Sequence, residues 1–227
     1  MSLFSLFKGW EGELSTQFAL WMRLDSEIYR RFHNLIIQAE NGTTQIDHVV
    51  LSKYGIFVIE TKNYEGWIYG GEKQRTWTQN LFGRKHSFQN PLHQNYKHTR
   101  SLAERLQIEH SKFHSLVFFI GDDVELKSSL PPNVMTSGLS AYIKSFTQVL
   151  FSDSELERLH QRLERLKDSP ATSAREHVQN LKDRYSNNVT CPKCGGQLVE
   201  RTAKKGHSAG ERFMGCKNFP RCTYIKR

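Results

Sequence analysis

Apolar positions early in the chain recur at helical spacing. Leu14, Phe18 and Trp21 share one face of "EGELSTQFALWMRL", which predicts an amphipathic helix over Gly12 to Arg23. The rhythm then shortens to that of strands. A strand-like stretch over 34–39 leads through the turn "ENGTT" into "QIDHVVLSKYGIFVIETKN", which reads as two strands joined at "SKYG". The second begins as a buried strand and ends on two ionisable residues, Glu60 and Lys62. Trp67 and Trp77, on either side of Gly70 and Gly71, are expected to pack a second hairpin over the core. Asn90 and Pro91 open a helix whose packing stripe is Leu92, Tyr96, Leu102 and Leu106, with Gln94, His98 and Arg105 on a separate face. "SLVFFIG", ending at Gly121, is another buried strand.

A further helix is predicted in "SDSELERLHQRLERLKDSP". Ser152 and Glu155 fit a capping box, and Leu156, Leu159, Leu163 and Leu166 repeat in a heptad-like pattern. That seam either packs against the preceding domain or, over helix 152–168, forms a homodimer or recruits a protein partner. Pro170 breaks the helix, and "SAREHVQNLKDRYSNN" continues as a weaker one into a polar linker.

The 227 residues suffice for one globular domain and an appendage. No run approaches the roughly 18 apolar residues that a membrane helix needs, and "MSLFSLFKGW" has no basic residue before its short apolar patch. The expectation is a cytoplasmic chain without a membrane partner. Charge is unevenly distributed. Of a formal net +9, the segment from Val189 onward carries +7, from nine Lys or Arg against Glu200 and Glu211. Such a tail suits a polyanion, although basic tails also serve solubility alone.

All four cysteines, Cys191, Cys194, Cys216 and Cys222, lie in that tail, which argues against a disulfide framework. "CPKCGG" turns two thiolates toward one centre, and "CKNFPRC" supplies a second pair after a gap that a small β-ribbon would bridge. Four soft thiolates suit tetrahedral zinc, with redox chemistry at the first pair as the rival.

Side chains two apart on a strand share a face, so Glu60 and Lys62 lie together. A two-residue loop at Lys53 and Tyr54 sets Asp47 opposite Glu60, and one at Tyr54 and Gly55 sets it opposite Lys62; a three-residue loop turns Asp47 away. Clustered buried carboxylates repel and need compensation, for which a divalent cation such as Mg2+ or Mn2+ on Asp47 and Glu60 is the natural candidate. Lys62 would then orient or help deprotonate a water and stabilise phosphoryl charge. The bland alternative is a cross-strand ion pair on a half-exposed sheet. His48 alternates to the opposite face and is expected to be a packing or surface residue.

The tail "CPKCGGQLVERTAKKGHSAGERFMGCKNFPRCTY" resembles the zinc finger at the C-terminus of bacterial type I topoisomerases. The resemblance implies contact with single-stranded DNA, with Phe213, Phe219 and Tyr224 stacking on bases among Lys204, Lys205, Arg212 and Arg221. The alternative is that these aromatics form the small core around zinc. "GWEGE", "QIDHVV", "GIFVIETKN" and "QNPLHQNYKH" resemble the nuclease-related domain, a family of the PD-(D/E)xK restriction-endonuclease-like superfamily, over 9–121. That implies an α/β fold, a mixed sheet flanked by helices. It also implies a catalytic set of Asp47, Glu60 and Lys62, joined by a helix-borne acid, Glu13, and a helical glutamine, Gln94. A tyrosine four residues after the glutamine is absent, since that position is His98.

The organisation expected is a nuclease-related domain over 1–150, a helical linker over 151–188 and a C4 zinc finger over 189–227. The function expected is Mg2+-dependent hydrolysis of DNA that is single-stranded or branched. A non-cleaving nucleic-acid adaptor and a ribonuclease are the alternatives.

Overall fold

A computed structural model describes residues 23–39, 42–121, 123–168, 191, 197–203, 206, 208–220 and 222–226. The first predicted helix, with Glu13, and the segment after Pro170 lie outside the described residues, as do Cys194, Lys204, Lys205 and Arg221. The chain divides into two compact units, one formed by 1–37 with 44–169 and the other by 38–43 with 170–227.

The larger unit is mixed α/β, built on a five-stranded sheet. In chain order its strands are β1 (Arg30–Ala39), β2 (Gly42–Ser52), β3 (Gly55–Asn63), β7 (Phe113–Ile120) and β9 (Val134–Met135), and they lie side by side in that order. β2 and β3 are antiparallel, with Ser52 paired to Gly55, so the hairpin closes over Lys53 and Tyr54. β3 and β7 run parallel, from Ile56 opposite Phe113 to Asn63 opposite Ile120. Parallel neighbours need a long crossover, and here it contains helix α1 (Pro91–Leu106).

The apolar runs of β2 and β3 are continuous because both faces of the sheet are covered. Val49, Leu51, Ile56 and Val58 pack with Leu102 and Leu106 of α1. Val50, Phe57 and Ile59 pack instead with Leu139 and Ile143 of the short helix α2 (Leu139–Lys144), which the sequence pattern did not predict. Burying each such side chain contributes about 1.5–3 kcal/mol.

Helix α3 (Asp153–Lys167) begins at Ser152, and the capping box with Glu155 forms as its sequence predicts. Its seam turns inward: Leu159 and Leu163 are fully buried in the same cluster as Leu35, Ile37 and Leu106, with Leu156 and Leu166 against it. The leucine seam is therefore covered by the chain's own core, the first of the two outcomes expected from the sequence, and α3 packs within the larger unit.

Between β3 and α1 the chain forms β4 (Trp67–Tyr69), β5 (Thr76–Leu81) and β6 (Arg84–Gln89), and β8 (Glu125–Leu126), after β7, completes with them a second, four-stranded sheet in the order β6, β5, β4, β8. Trp77 is buried here as expected, and a Cβ at Gly70 would collide with its indole, so this position admits only glycine. Trp67 departs from expectation, at 45% exposure.

Asn90 ties this sheet to α1. Its Oδ1 accepts a hydrogen bond from the Leu92 N–H, capping the helix, while its Nδ2 lies 2.6–3.2 Å from the carbonyls of Gly71, Glu72 and Gln74. Asn90→Ala removes a helix cap and the side-chain bonds that tie α1 to the turn before β5, so a loss of about 2 kcal/mol is expected in urea unfolding. A cost within experimental error would show that water replaces these bonds.

Candidate functional site

The hairpin loop over Lys53 and Tyr54 selects the first of the registers considered from sequence. Continuing the pairing of His48 with Ile59 by one step brings Asp47 opposite Glu60. The Asp47 carboxylate accepts a hydrogen bond from the Thr61 backbone N–H at 2.8 Å, which fixes it beside the end of β3.

Glu60 is 2% exposed. The Lys62 ammonium donates to its Oε1 at 2.6 Å and to Gln94 Oε1 at 3.0 Å. The glutamine comes from the second turn of α1, so the crossover helix supplies it directly to the strand residues. Burial pushes the Glu60 carboxyl up, but the Lys62 ammonium and His98 outweigh it, and the group is held below its ordinary range. Burial likewise pulls Lys62 down, and Glu60 with Asp47 outweighs that, leaving its amine above the usual lysine range. The pair is charged at neutral pH. An amine held so firmly as an ammonium is a charge stabiliser and a poor general base, because a base must titrate near the working pH.

His98, one turn after Gln94, joins this site, where the sequence offers it only as a neighbour of Gln94 on the same helical face. It is buried, its Nδ1 is 3.1 Å from Thr44 Oγ1 and its Nε2 is 3.2 Å from Glu60 Oε2. The Nε2 contact is close but poorly aligned, so Glu60 Oε2 is a buried carboxylate oxygen with only the His98 ring beside it. A carboxylate oxygen of that kind fits a cation ligand. The signal was the i, i+4 spacing of Gln94 and His98, which puts both on the face of α1 turned to β3. Tyr96, expected in the packing stripe, is 55% exposed instead, while Asn95 takes the inward place with Nδ2 2.8–2.9 Å from Val58 O, Ser115 Oγ and Leu116 O.

His48 is buried, as a packing residue, with its Nδ1 2.8 Å from His33 Nδ1. Burial first, and His33 second, push its imidazole down to about 3. The unfolded imidazole titrates near ~6.5, so the unfolded state binds the extra proton throughout that window. Stability from this site is complete above pH ~6.5 and is lost as pH falls toward 3, by an amount on the order of several kcal/mol. The urea midpoint is expected to fall steeply from pH 7 to pH 4, with a shallower fall in His48→Asn. Parallel curves for the two proteins would contradict this.

In the smaller unit, β10 (Leu198–Thr202), β11 (Arg212–Cys216) and β12 (Ile225–Lys226) form an antiparallel ribbon, with Leu198 opposite Cys216. It bridges the two cysteine pairs. Cys191, Cys216 and Cys222 are buried, with their sulfurs all within 4.8 Å of one another. Cys191 and Cys222 Sγ lie 3.7 Å apart, too far for a disulfide. With Zn–S bonds of about 2.3 Å, a tetrahedral thiolate site has sulfur–sulfur edges of about 3.8 Å, so these residues fit zinc. The Asn218 N–H also points to Cys216 Sγ at 3.4 Å, the kind of outer bond that orients a thiolate ligand.

Of the aromatics predicted to meet DNA, Tyr224 packs against the cysteine cluster and Phe213 is half-buried. Phe219 is 60% exposed, and the Arg201 guanidinium lies over its ring at 5.7 Å. Arg201 was counted from sequence only as one charge among many. Arg212 is exposed and pairs with Glu200 at 3.7 Å.

Comparison with known proteins agrees with this division. Residues 8–120 match the nuclease-related domain, and residues 188–227 match the topoisomerase DNA-binding C4 zinc finger. An uncharacterized protein of Bacillus anthracis is 35% identical over 185 residues, covering 78% of this chain and 86% of that one. The chain belongs to the nuclease-related domain family. Its tail is 56% identical over 34 residues to DNA topoisomerase 1 of Archaeoglobus fulgidus, which is 15% of this chain and 4% of the topoisomerase. It is also 45% identical over 40 residues to the uncharacterized protein YrdD of Escherichia coli, 18% of this chain and 19% of that one. No described helix is long and apolar enough to cross a membrane.

Proposed function

We propose that this protein is a divalent-metal-dependent nuclease of the PD-(D/E)xK type, hydrolysing phosphodiester bonds in DNA that its zinc ribbon helps to hold. The observation that carries this reading is the buried Glu60 carboxylate beside Asp47, with Lys62 on one oxygen and only the His98 imidazole, 3.2 Å away and poorly aligned, near the other. Two carboxylates gathered with one ammonium at the end of β3 suit the ligand set of a divalent cation.

Asp47 and Glu60 would hold the cation, Mg2+ or Mn2+, which would supply Lewis acidity toward a phosphoryl oxygen. Lys62 stays an ammonium, braced by Gln94, and presents positive charge where charge develops on the phosphoryl group. His98, anchored on Thr44, holds the Glu60 carboxylate in place. Glu13 is assigned to the same site on the family resemblance alone. Arg201, Phe219 and Arg212 carry the proposed DNA contact of the ribbon, for which strands with unpaired bases offer the most stacking surface, and Phe213, Tyr224, Lys204, Lys205 and Arg221 are assigned to it on the family resemblance alone.

Incubation of the full chain with end-labelled single-stranded, duplex and forked DNA tests this reading. Cleavage dependent on Mg2+ or Mn2+ is expected, and binding without cleavage under every metal would favour the adaptor. Cleavage confined to RNA would move the substrate to the other nucleic acid.

A further inference from the structure

The hairpin of β5 and β6 carries a side chain that its own fold does not explain. Leu81 pairs with Arg84, so the turn is Phe82 and Gly83, and both have positive φ, 49° and 81°. A turn of that kind favours Asn or Asp before Gly, because a bulky residue is strained in the left-handed region. Phe82 is also 97% exposed. It is unfavourable for conformation and for solvation at once.

Its surroundings are specific. Arg84, Lys85, His86 and Ser87 of β6 are all exposed, and β6 is the outer strand of its sheet. Among the described residues neither Arg84 nor Lys85 has a carboxylate partner. Arg84 and His86 alternate onto the face of Phe88, whose ring lies 4.6 Å from that of Tyr64. Tyr64 is two residues beyond Lys62, so this basic edge runs from the neighbourhood of the candidate catalytic site out to Phe82. On its other side Phe82 borders a cleft of about 510 Å³ with Trp67, Asn80, Glu65, Asp123 and Glu125. Carboxylates there repel phosphate but accept hydrogen bonds from the amino edges of bases.

We propose that this hairpin is a strand-engaging arm, in which Phe82 stacks on an unpaired base of DNA at the cleft while Arg84 and Lys85 hold the flanking phosphates. The proposal rests on the nuclease reading and deepens it, by selecting DNA with unpaired bases. Glu125 is paired with Lys127, and an acidic protein partner fits less well because it would set its own charge beside Glu65 and Asp123 of the cleft and leave Phe82 unused.

The test uses the full zinc-loaded chain and a fluorescent DNA fork. Phe82→Asn suits the turn, so its Tm should be unchanged or higher while the Kd for the fork rises about tenfold, as expected for removal of one base–aromatic stack. The double variant Arg84→Ala, Lys85→Ala should lower the slope of log K against log salt by about two. A benzophenone amino acid at position 82 should cross-link to the fork on irradiation, and one at the exposed Val149 should not. Unchanged binding by Phe82→Asn, together with no adduct at position 82, would overturn the arm. Failure of the native chain to cut would overturn the nuclease reading alone, because the cross-link and the salt slope are read without cleavage.

Discussion

Glu60→Gln is expected to lower the single-turnover cleavage rate by about a thousandfold or more, the scale of removing one preorganised electrostatic group from a reacting centre. Glutamine keeps the volume but removes the charge that pairs with Lys62 and would ligate the cation. DNA binding should be kept or tightened, since a negative charge near the phosphates has gone. The variant also leaves the Lys62 ammonium, only 18% exposed, without its nearest counter-charge. A stability loss of up to about 3 kcal/mol is expected for a broken, largely buried pair, so urea midpoints must accompany the rates. The sign of the pH dependence follows from the two shifts. With the Glu60 carboxyl held down and the Lys62 amine held up, the pair stabilises the fold across neutral pH. That contribution is lost as acid protonates Glu60 below its ordinary range, or as alkali deprotonates Lys62 above its own. A Glu60→Gln rate near that of the native protein, with the fold intact, would remove Glu60 from the chemistry.

Stripping zinc should have the largest structural effect, confined to the ribbon. Few apolar residues are available there: the described core is Leu198 and three cysteines, with Met214 and Tyr224 against them. A core that small cannot offset the entropy of ordering the chain, whereas thiolate–zinc bonds supply about 10–16 kcal/mol in small zinc modules at neutral pH. One zinc per chain is expected by elemental analysis. A strong chelator, or Cys216→Ser, should abolish the ribbon's dispersed backbone signals in NMR while the larger unit keeps its melting transition. A ribbon that stays folded without metal would contradict the assignment of the cysteines.

How much was legible in the sequence depended on how local the signal was. The hairpin of β2 and β3, the capped helices at Asn90 and Ser152 and the cysteine ribbon follow from short-range patterns. The face shared by Asp47, Glu60 and Lys62 needed only the hairpin loop length to be settled. Contacts between distant segments were harder to read. His98 stands where a tyrosine is expected, and its spacing from Gln94 puts it on the same helical face, but only the packing of α1 over β3 sets that face beside Glu60. Trp67 and Tyr96 were assigned inward because large aromatics usually are, yet which face of a short strand or helix is covered depends on neighbours far along the chain. The leucine seam of α3 had two outlets in the sequence, and the sheet beneath it decided between them. Phe82 gave no signal at all, because a phenylalanine between apolar and basic residues reads as core until the turn is seen.

The central claim is tested most directly by cleavage time courses of the native chain beside Asp47→Asn and Lys62→Met, on one forked DNA with Mg2+ and with DNA binding measured in parallel. The account predicts cutting by the native chain and its loss in both variants, with binding preserved. Equal cutting by all three proteins, or binding by all three with no cutting, would contradict it.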